Sequence, residues 1–352
     1  SKMDIDMQTF CRMIPKLELH AHLNGSLSQA TMLQLMRFHA DAGKTDNHNP
    51  FLNDFNIGEG DTRTLAETFE AFSVAHSLTT TPQSLALATS LTLKEFCNDG
   101  CCYIELRSTP RDTPDMSKSV YLQTIVDSLN QLDDFLKLYH ISLFIVSINR
   151  SSSVVEANEV AKLAIDFHKL HPNVVVGIEL SGNPTVGLFQ DFIPALNKAR
   201  EAGLKVSLHC GEVINPNEVL EMLKFKPDRL GHGIHIHPKY GGTQETWDLL
   251  CQYKIPVEMC LTSNVKTKSV PDYESHHFRE FYEANIPMII CTDDKGVFGT
   301  SLSQELCICA QSFQLDQKQL LQLAFSATKY VFHLESMDKI CDKFEKCINT
   351  SE

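Results

Sequence analysis

Leu17-Glu18-Leu19-His20-Ala21-His22 is the first run of the chain that reads as a buried strand. Seven more runs of the same kind follow, at residues 102–107, 142–148, 174–180, 205–209, 229–232, 257–260 and 288–291. Each is short, apolar and rich in β-branched residues, and helix-length amphipathic stretches separate them. Runs too apolar for half-exposed strands, alternating with helical stretches, predict parallel strands covered on both faces, hence a βα repeat. Eight such units predict an α/β fold: a TIM-type (β/α)8 barrel with extra helices after the first strand, forming one domain over residues 3–345.

The intervening segments carry readable signals. Thr81-Pro82 predicts an N-cap with proline at the first helical position, and Gly100 closes the same helix. Thr64-x-x-Glu67 reads as a capping box. Leu65, Phe69, Phe72 and His76 follow it as one helical stripe, which makes His76, on the residues alone, a core histidine. Between Arg37 and Arg63 the periodicity fails and the residues turn polar. So long a connection beside the first strand reads as a lid.

Composition narrows the function classes. With 43% apolar and 21% charged residues, the 352-residue chain is globular. A net charge of −13 argues against a nucleic-acid or anionic-membrane surface, either of which needs a basic face. A small-molecule substrate fits better, and an anionic one needs local positive charge to hold it. The 12 cysteines form no CxxC pair and read as reduced thiols. No apolar stretch long enough for a membrane span or signal core is present, so cytoplasmic location is the expectation; a monomer is expected separately.

His20-Ala21-His22 is the first chemical signal. Residues i and i+2 of a strand share a face, so both imidazoles can reach one ion. Alone the pair is weak evidence, since paired strand histidines are more often hydrogen-bonded core residues. His209 and Asp293, however, stand at the ends of two other predicted strands, where catalytic barrels place working groups. Three imidazoles and one carboxylate suit one Zn2+ per chain with a position left for water. Glu212, three residues past His209, and His232, between Gly231 and Gly233, are the acid–base candidates. Asp294 beside Asp293 can meet substrate while its neighbour binds metal. His235 and His237 read as exposed loop residues, and His276-His277 as helix-start residues.

Taken in order, Leu19-His20-Ala21-His22-Leu23-Asn24-Gly25-Ser26, Ser207-Leu208-His209-Cys210-Gly211-Glu212, Leu230-Gly231-His232-Gly233, Cys260-Leu261-Thr262-Ser263-Asn264 and Thr292-Asp293-Asp294 resemble the motifs of the adenosine deaminase superfamily. The resemblance implies zinc on His20, His22, His209 and Asp293. It implies Glu212 as proton donor to purine N1, His232 assisting the water that zinc activates, Asp294 on purine N7 and the Gly182 backbone on the purine edge.

Within the superfamily the chain is similar to the adenosine deaminase-like branch, which implies hydrolysis of N6-methyl-AMP to IMP and methylamine. Asn24 stands where true adenosine deaminases carry an aspartate that would repel a 5′-phosphate. Glu105-Leu106-Arg107-Ser108-Thr109-Pro110-Arg111 resembles that branch's phosphate-binding run, and implies Ser108, Thr109, Pro110 and Arg111 around the phosphate. Lys295 is a second candidate phosphate cation, with a surface lysine as the alternative. The resemblance places His76 in the substrate pocket. Asn149 departs from the branch's aspartate at the sugar or N6 side. Adenosine deamination and non-catalytic purine-nucleotide binding remain the alternative functions.

Overall fold

The computed structural model describes residues 5–42, 65–132 and 134–351. Its strands are β1 (Lys16–His22), β2 (Cys101–Ser108), β3 (Ile141–Asn149), β4 (Val175–Ser181), β5 (Lys205–Cys210), β6 (Arg229–His232), β7 (Val257–Met259) and β8 (Met288–Ile290). All eight expected runs are strands, each within one residue of the expected bounds. They pair in parallel in chain order.

The sheet closes into a barrel at a narrow seam. The bridge Ala21↔Asp293 joins its two edges, with His22 N donating to Asp293 O and Asp293 N donating to His20 O, both at 2.9 Å. Three of the expected metal ligands therefore sit on the seam, and barrel closure itself brings them together.

Helix α1 (Met7–Met13) precedes β1, and α2 (Gln29–Asp41), α3 (Leu65–Leu78) and α4 (Pro82–Asn98) fill the long β1–β2 connection. Thr81 caps α4: its Oγ1 accepts from Ser84 N at 3.1 Å, and Ser84 Oγ accepts from Thr81 N at 3.2 Å. Gly100 follows at φ 85°, a left-handed turn that suits glycine. Two expectations are corrected here. Helix α2 continues through Arg37 to Asp41, and the remainder of the proposed lid, with Thr64, lies outside the described residues. The buried stripe of α3 is Ala71, Val74, Ala75 and Leu78, with His76 exposed. The i, i+3, i+4, i+7 set is simply rotated from the one the large apolar residues suggested.

Outward strand residues such as Ile104, Leu106, Val206 and Leu208 pack under the helices. The barrel interior is charged instead. Arg107 bonds Glu179, Glu258 and the Leu19 carbonyl. Arg229 donates to Glu258 Oε2 at 2.6 Å and Glu105 Oε1 at 2.7 Å, with its guanidinium 3.6 Å from the Phe332 ring centroid. All five of these charged residues are fully buried. Burial opposes the charge on Glu258 and Glu179, but Arg107 and Arg229 at Glu258, and Arg107 with His209 and His22 at Glu179, outweigh it and hold both carboxyls well below the usual range. Arg229→Met leaves Glu105 and Glu258 short of a counter-charge, and is expected to cost about 3–5 kcal/mol in denaturant unfolding.

The C-terminal helix Met337–Ser351 buries Ile340 and Phe344 against the barrel, so the expected boundary at 345 falls inside a helix. All 12 cysteines are free. Among the described residues no helix is long and apolar enough to cross a membrane.

Candidate active site

The site gathers where the strands end. The ligand atoms of His20, His22, His209 and Asp293 all lie within 4.8 Å of one another. His22 Nε2 stands 3.2 Å from both His209 Nε2 and Asp293 Oδ1, and His20 Nε2 is 2.9 Å from Asp293 Oδ1. Ligands about 2.0–2.1 Å from a tetrahedral ion are about 3.3 Å apart. The two imidazole nitrogens of His22 and His209 therefore face each other at the separation an intervening ion produces, so these residues fit one divalent metal.

A ring of carboxylates aims the imidazoles. His20 Nδ1 is 2.8 Å from Glu258 Oε1, and His209 Nδ1 is 3.1 Å from Glu179 Oε2. Ser263 donates to Asp293 Oδ2 at 2.8 Å. Such partners fix which nitrogen faces the ion. Burial lowers the pKa of His22, but Asp293, Asp294 and Glu179 outweigh it and hold the ring up at about 9. Burial likewise opposes ionisation of Asp293, yet His232, His20 and His22 hold its carboxyl well below the usual range. The centre is thus built for a cation. A second grouping, His20, His232, Cys260 and Asp293, is a poorer ligand set, because burial keeps the Cys260 thiol protonated.

Two of the expected site residues sit in strained backbone. His232 has φ 65° and Asp293 φ 63°, left-handed conformations that cost a non-glycine residue about 1–2 kcal/mol. The turn directs both side chains back over the barrel mouth. His232 Nε2 lies 3.9 Å from Glu212 Oε2 and 3.7 Å from Asp293 Oδ2. Burial pushes the Glu212 carboxyl up and takes the His232 imidazole down to about 4.

Asp294 is buried, and its Oδ1 has no hydrogen-bond partner among the described residues. Burial and the neighbouring Asp293 push its carboxyl well above the usual range. Gly25 makes room for it: a Cβ there would stand 1.7 Å from Asp294 Oδ1.

A separate polar group lies beside β1 and β2. Ser108 Oγ bonds the Tyr121 hydroxyl, which also reaches Asn24. Thr79 Oγ1 lies 3.4 Å from Asn24 Oδ1 and accepts from Arg111 at 3.0 Å. Arg111 donates further to the His76 carbonyl at 2.7 Å, while its buried Nε has no partner among the described residues. Pro110 is buried and Thr109 half-buried in the same turn.

Lys295 is not brought into this group. Its Nζ is 3.6 Å from Glu95 Oε2 and lines, with Phe96 and Asp99, a cavity of about 360 Å3. Asn149 is exposed, and its Oδ1 accepts from Ser151 N at 2.8 Å. Gly182, at φ 104°, abuts that amide: a Cβ on it would meet Asn149 Oδ1 at 2.5 Å.

Other histidines depart from expectation. His235 and His237 are half-buried, bonding the Tyr240 carbonyl and Lys239 N respectively. His276 and His277 do precede the helix Phe278–Glu283, but both rings are fully buried behind His232. The sequence motifs assign no role to Glu179, Glu258, Ser263, Asn264, His276 or Tyr121. Polar residues at i, i+2 spacing, Glu18-x-His20-x-His22 on β1 and Glu105-x-Arg107 on β2, are a local sign that the inner face is polar.

Fold and site together define a (β/α)8 barrel whose strand ends gather four residues able to hold a metal ion, with a carboxyl and an imidazole beside them. Residues 15–346 match the family model for adenosine deaminase, and the chain belongs to the adenosine deaminase family. A human relative, N6-methyl-AMP deaminase, is 39% identical over 92% of this chain and 90% of its own length. A Drosophila melanogaster adenosine deaminase-like protein is 40% identical over 94% of each chain. An Arabidopsis ADAL crystal structure complexed with IMP superposes with a TM-score of 0.84 at 36% identity, covering 96% of this chain and 98% of that one.

Proposed function

We propose that residues 3–345 work as a zinc-dependent deaminase domain that hydrolyses N6-methyl-AMP to IMP and methylamine. The observation that carries this is the convergence of His20, His22, His209 and Asp293 with two carboxyls, Glu212 and Asp294, whose pKa values are both raised. Zinc, when bound, brings the pKa of a coordinated water from about 15.7 to about 7 and so supplies a nucleophile at neutral pH.

The chain's own groups do the rest. Glu212, its carboxyl pKa raised by burial, donates its proton to purine N1 as the water oxygen adds to C6. As the C6–N bond breaks and the C6 carbonyl forms, one proton of the water passes to the departing nitrogen and the other returns to the Glu212 carboxylate, and methylamine leaves. Purine N7 is an acceptor, so Asp294 must donate to it; its raised pKa and unpartnered Oδ1 suit that role. Gly182 offers its backbone to the purine edge. His232 orients the attacking water.

The Asn24, Ser108, Thr109 and Arg111 group is the proposed phosphate subsite, and the Arg111 guanidinium is its cation. His76, whose carbonyl holds Arg111, supports the same pocket wall. The Glu95 pairing of Lys295 favours Arg111 over Lys295 as the main phosphate cation, and Asn149 tolerates varied N6 groups by making no charged contact. A monomer is the proposed working unit. The relative solved with IMP supports the nucleotide reading.

The test compares kcat/KM for N6-methyl-AMP, AMP and adenosine. N6-methyl-AMP is expected to lead, and Arg111→Ala to raise KM for it by about 10–100-fold, as loss of one charged phosphate contact implies. Equal losses on adenosine would remove Arg111 from phosphate binding.

A further inference from the structure

His232 has two ring nitrogens, and its chemistry depends on which carries hydrogen. On the side away from the metal centre, Nδ1 is 3.0 Å from Asn264 Nδ2. The other end of that amide, Oδ1, is 2.9 Å from His276 Nε2. His276 Nδ1 in turn lies 2.9 Å from the backbone nitrogen of Phe278. All three side chains are buried.

Amide and imidazole orientations are ambiguous one at a time, but this chain ends on a group with a fixed sense. The Phe278 N–H can only donate, so His276 Nδ1 is bare and its hydrogen is on Nε2. His276 then donates to Asn264 Oδ1, and the Asn264 NH2 donates to His232 Nδ1. His232 Nδ1 is bare, and its hydrogen is on Nε2, the atom facing Asp293 and Glu212. His277 Nε2, 2.8 Å from the His232 carbonyl, steadies the same left-handed residue from behind.

We propose that Asn264 and His276 are positioning residues that hold the His232 ring with its Nε2–H toward the metal centre, so that neutral His232 donates a hydrogen bond there and is not the base that receives the water proton. This rests on the deaminase reading for its catalytic consequence, and on the hydrogen-bond chain alone for the ring orientation.

Asn264→Asp tests it. The carboxylate still accepts from His276 but offers no N–H to His232 Nδ1, and so draws the ring hydrogen to Nδ1. On the zinc-loaded enzyme kcat is expected to fall about 10–100-fold, with KM for N6-methyl-AMP within about twofold and metal content unchanged. His276→Ala should lose activity to a similar degree, and His276→Gln, which restores an N–H toward Asn264 Oδ1, should recover a large part of it.

Long-range 1H–15N spectra of histidine-labelled protein, with His232 assigned by its disappearance in His232→Gln, read the ring directly. Wild type is expected to show His232 protonated on Nε2, and Asn264→Asp on Nδ1. A wild-type His232 carrying its hydrogen on Nδ1 would overturn the proposal whether or not the variants fold. So would wild-type kcat in Asn264→Asp. Absence of turnover on every purine tested would defeat the deaminase reading, while the spectra would still decide the ring.

Discussion

Loss of the metal is expected to follow His209→Ala, with activity falling more than about 10^4-fold. His209 lies on β5, away from the seam where β1 meets Asp293, so its truncation leaves the closing residues untouched. The variant therefore separates the metal from the fold. Its cavity also frees Glu179, but Arg107 and Ser147 still bond that carboxylate, so the unfolding midpoint should move little beside the activity. Metal analysis after dialysis, with activity assayed before and after excess zinc, checks the outcome. Undiminished activity in a metal-free His209→Ala protein would exclude the metal from the reaction.

Glu212→Gln is the second large effect. The amide matches the carboxyl in size and leaves all four ligands in place, so metal content should stay at the wild-type level. A glutamine cannot release a proton to purine N1, and kcat is expected to fall by about 10^2–10^4-fold, the usual worth of a general acid. The pH profile supplies an independent check. Burial raises the Glu212 carboxyl above its ordinary value, so the required protonated form persists to higher pH than for a free glutamate. Activity should fall on the alkaline side as pH passes the raised value, and that limb should vanish from the residual activity of Glu212→Gln. On the acid side, protons compete with the metal for imidazole nitrogens, so zinc affinity should weaken as pH falls. An alkaline limb surviving unchanged in the variant would mean that another group donates the proton.

Both predictions concern residues that stand out along the linear chain. His20-x-His22 has the strand period that puts two side chains on one face, and His209, Glu212, His232 and Asp293 each close a recognisable apolar run. Strand ends in a parallel barrel share one rim, so the order of motifs already implies convergence. Caps are legible for the same local reason: Thr81-Pro82 acts on its own turn. The helix α3 is less so, because its large apolar residues suggest a face that includes His76, whereas packing against the barrel selects Ala71, Val74, Ala75 and Leu78.

Local spacing and residue chemistry by themselves determined the eight βα units, the four metal ligands as a candidate set, and the acid–base pair, since each depends on periodicities of two and 3.6 or on a residue's own functional group. Tertiary structure alone decided what stands behind them. Glu258 reaches His20 across 238 positions of chain and His276 reaches Asn264 from the far side of a loop. It also decided that Lys295 pairs with Glu95 while Arg111 joins Asn24, Ser108 and Thr79. Hydrogen bonds have a reach of about 3 Å, and no pattern along the chain records which distant carboxylate or amide will come within it once the barrel closes.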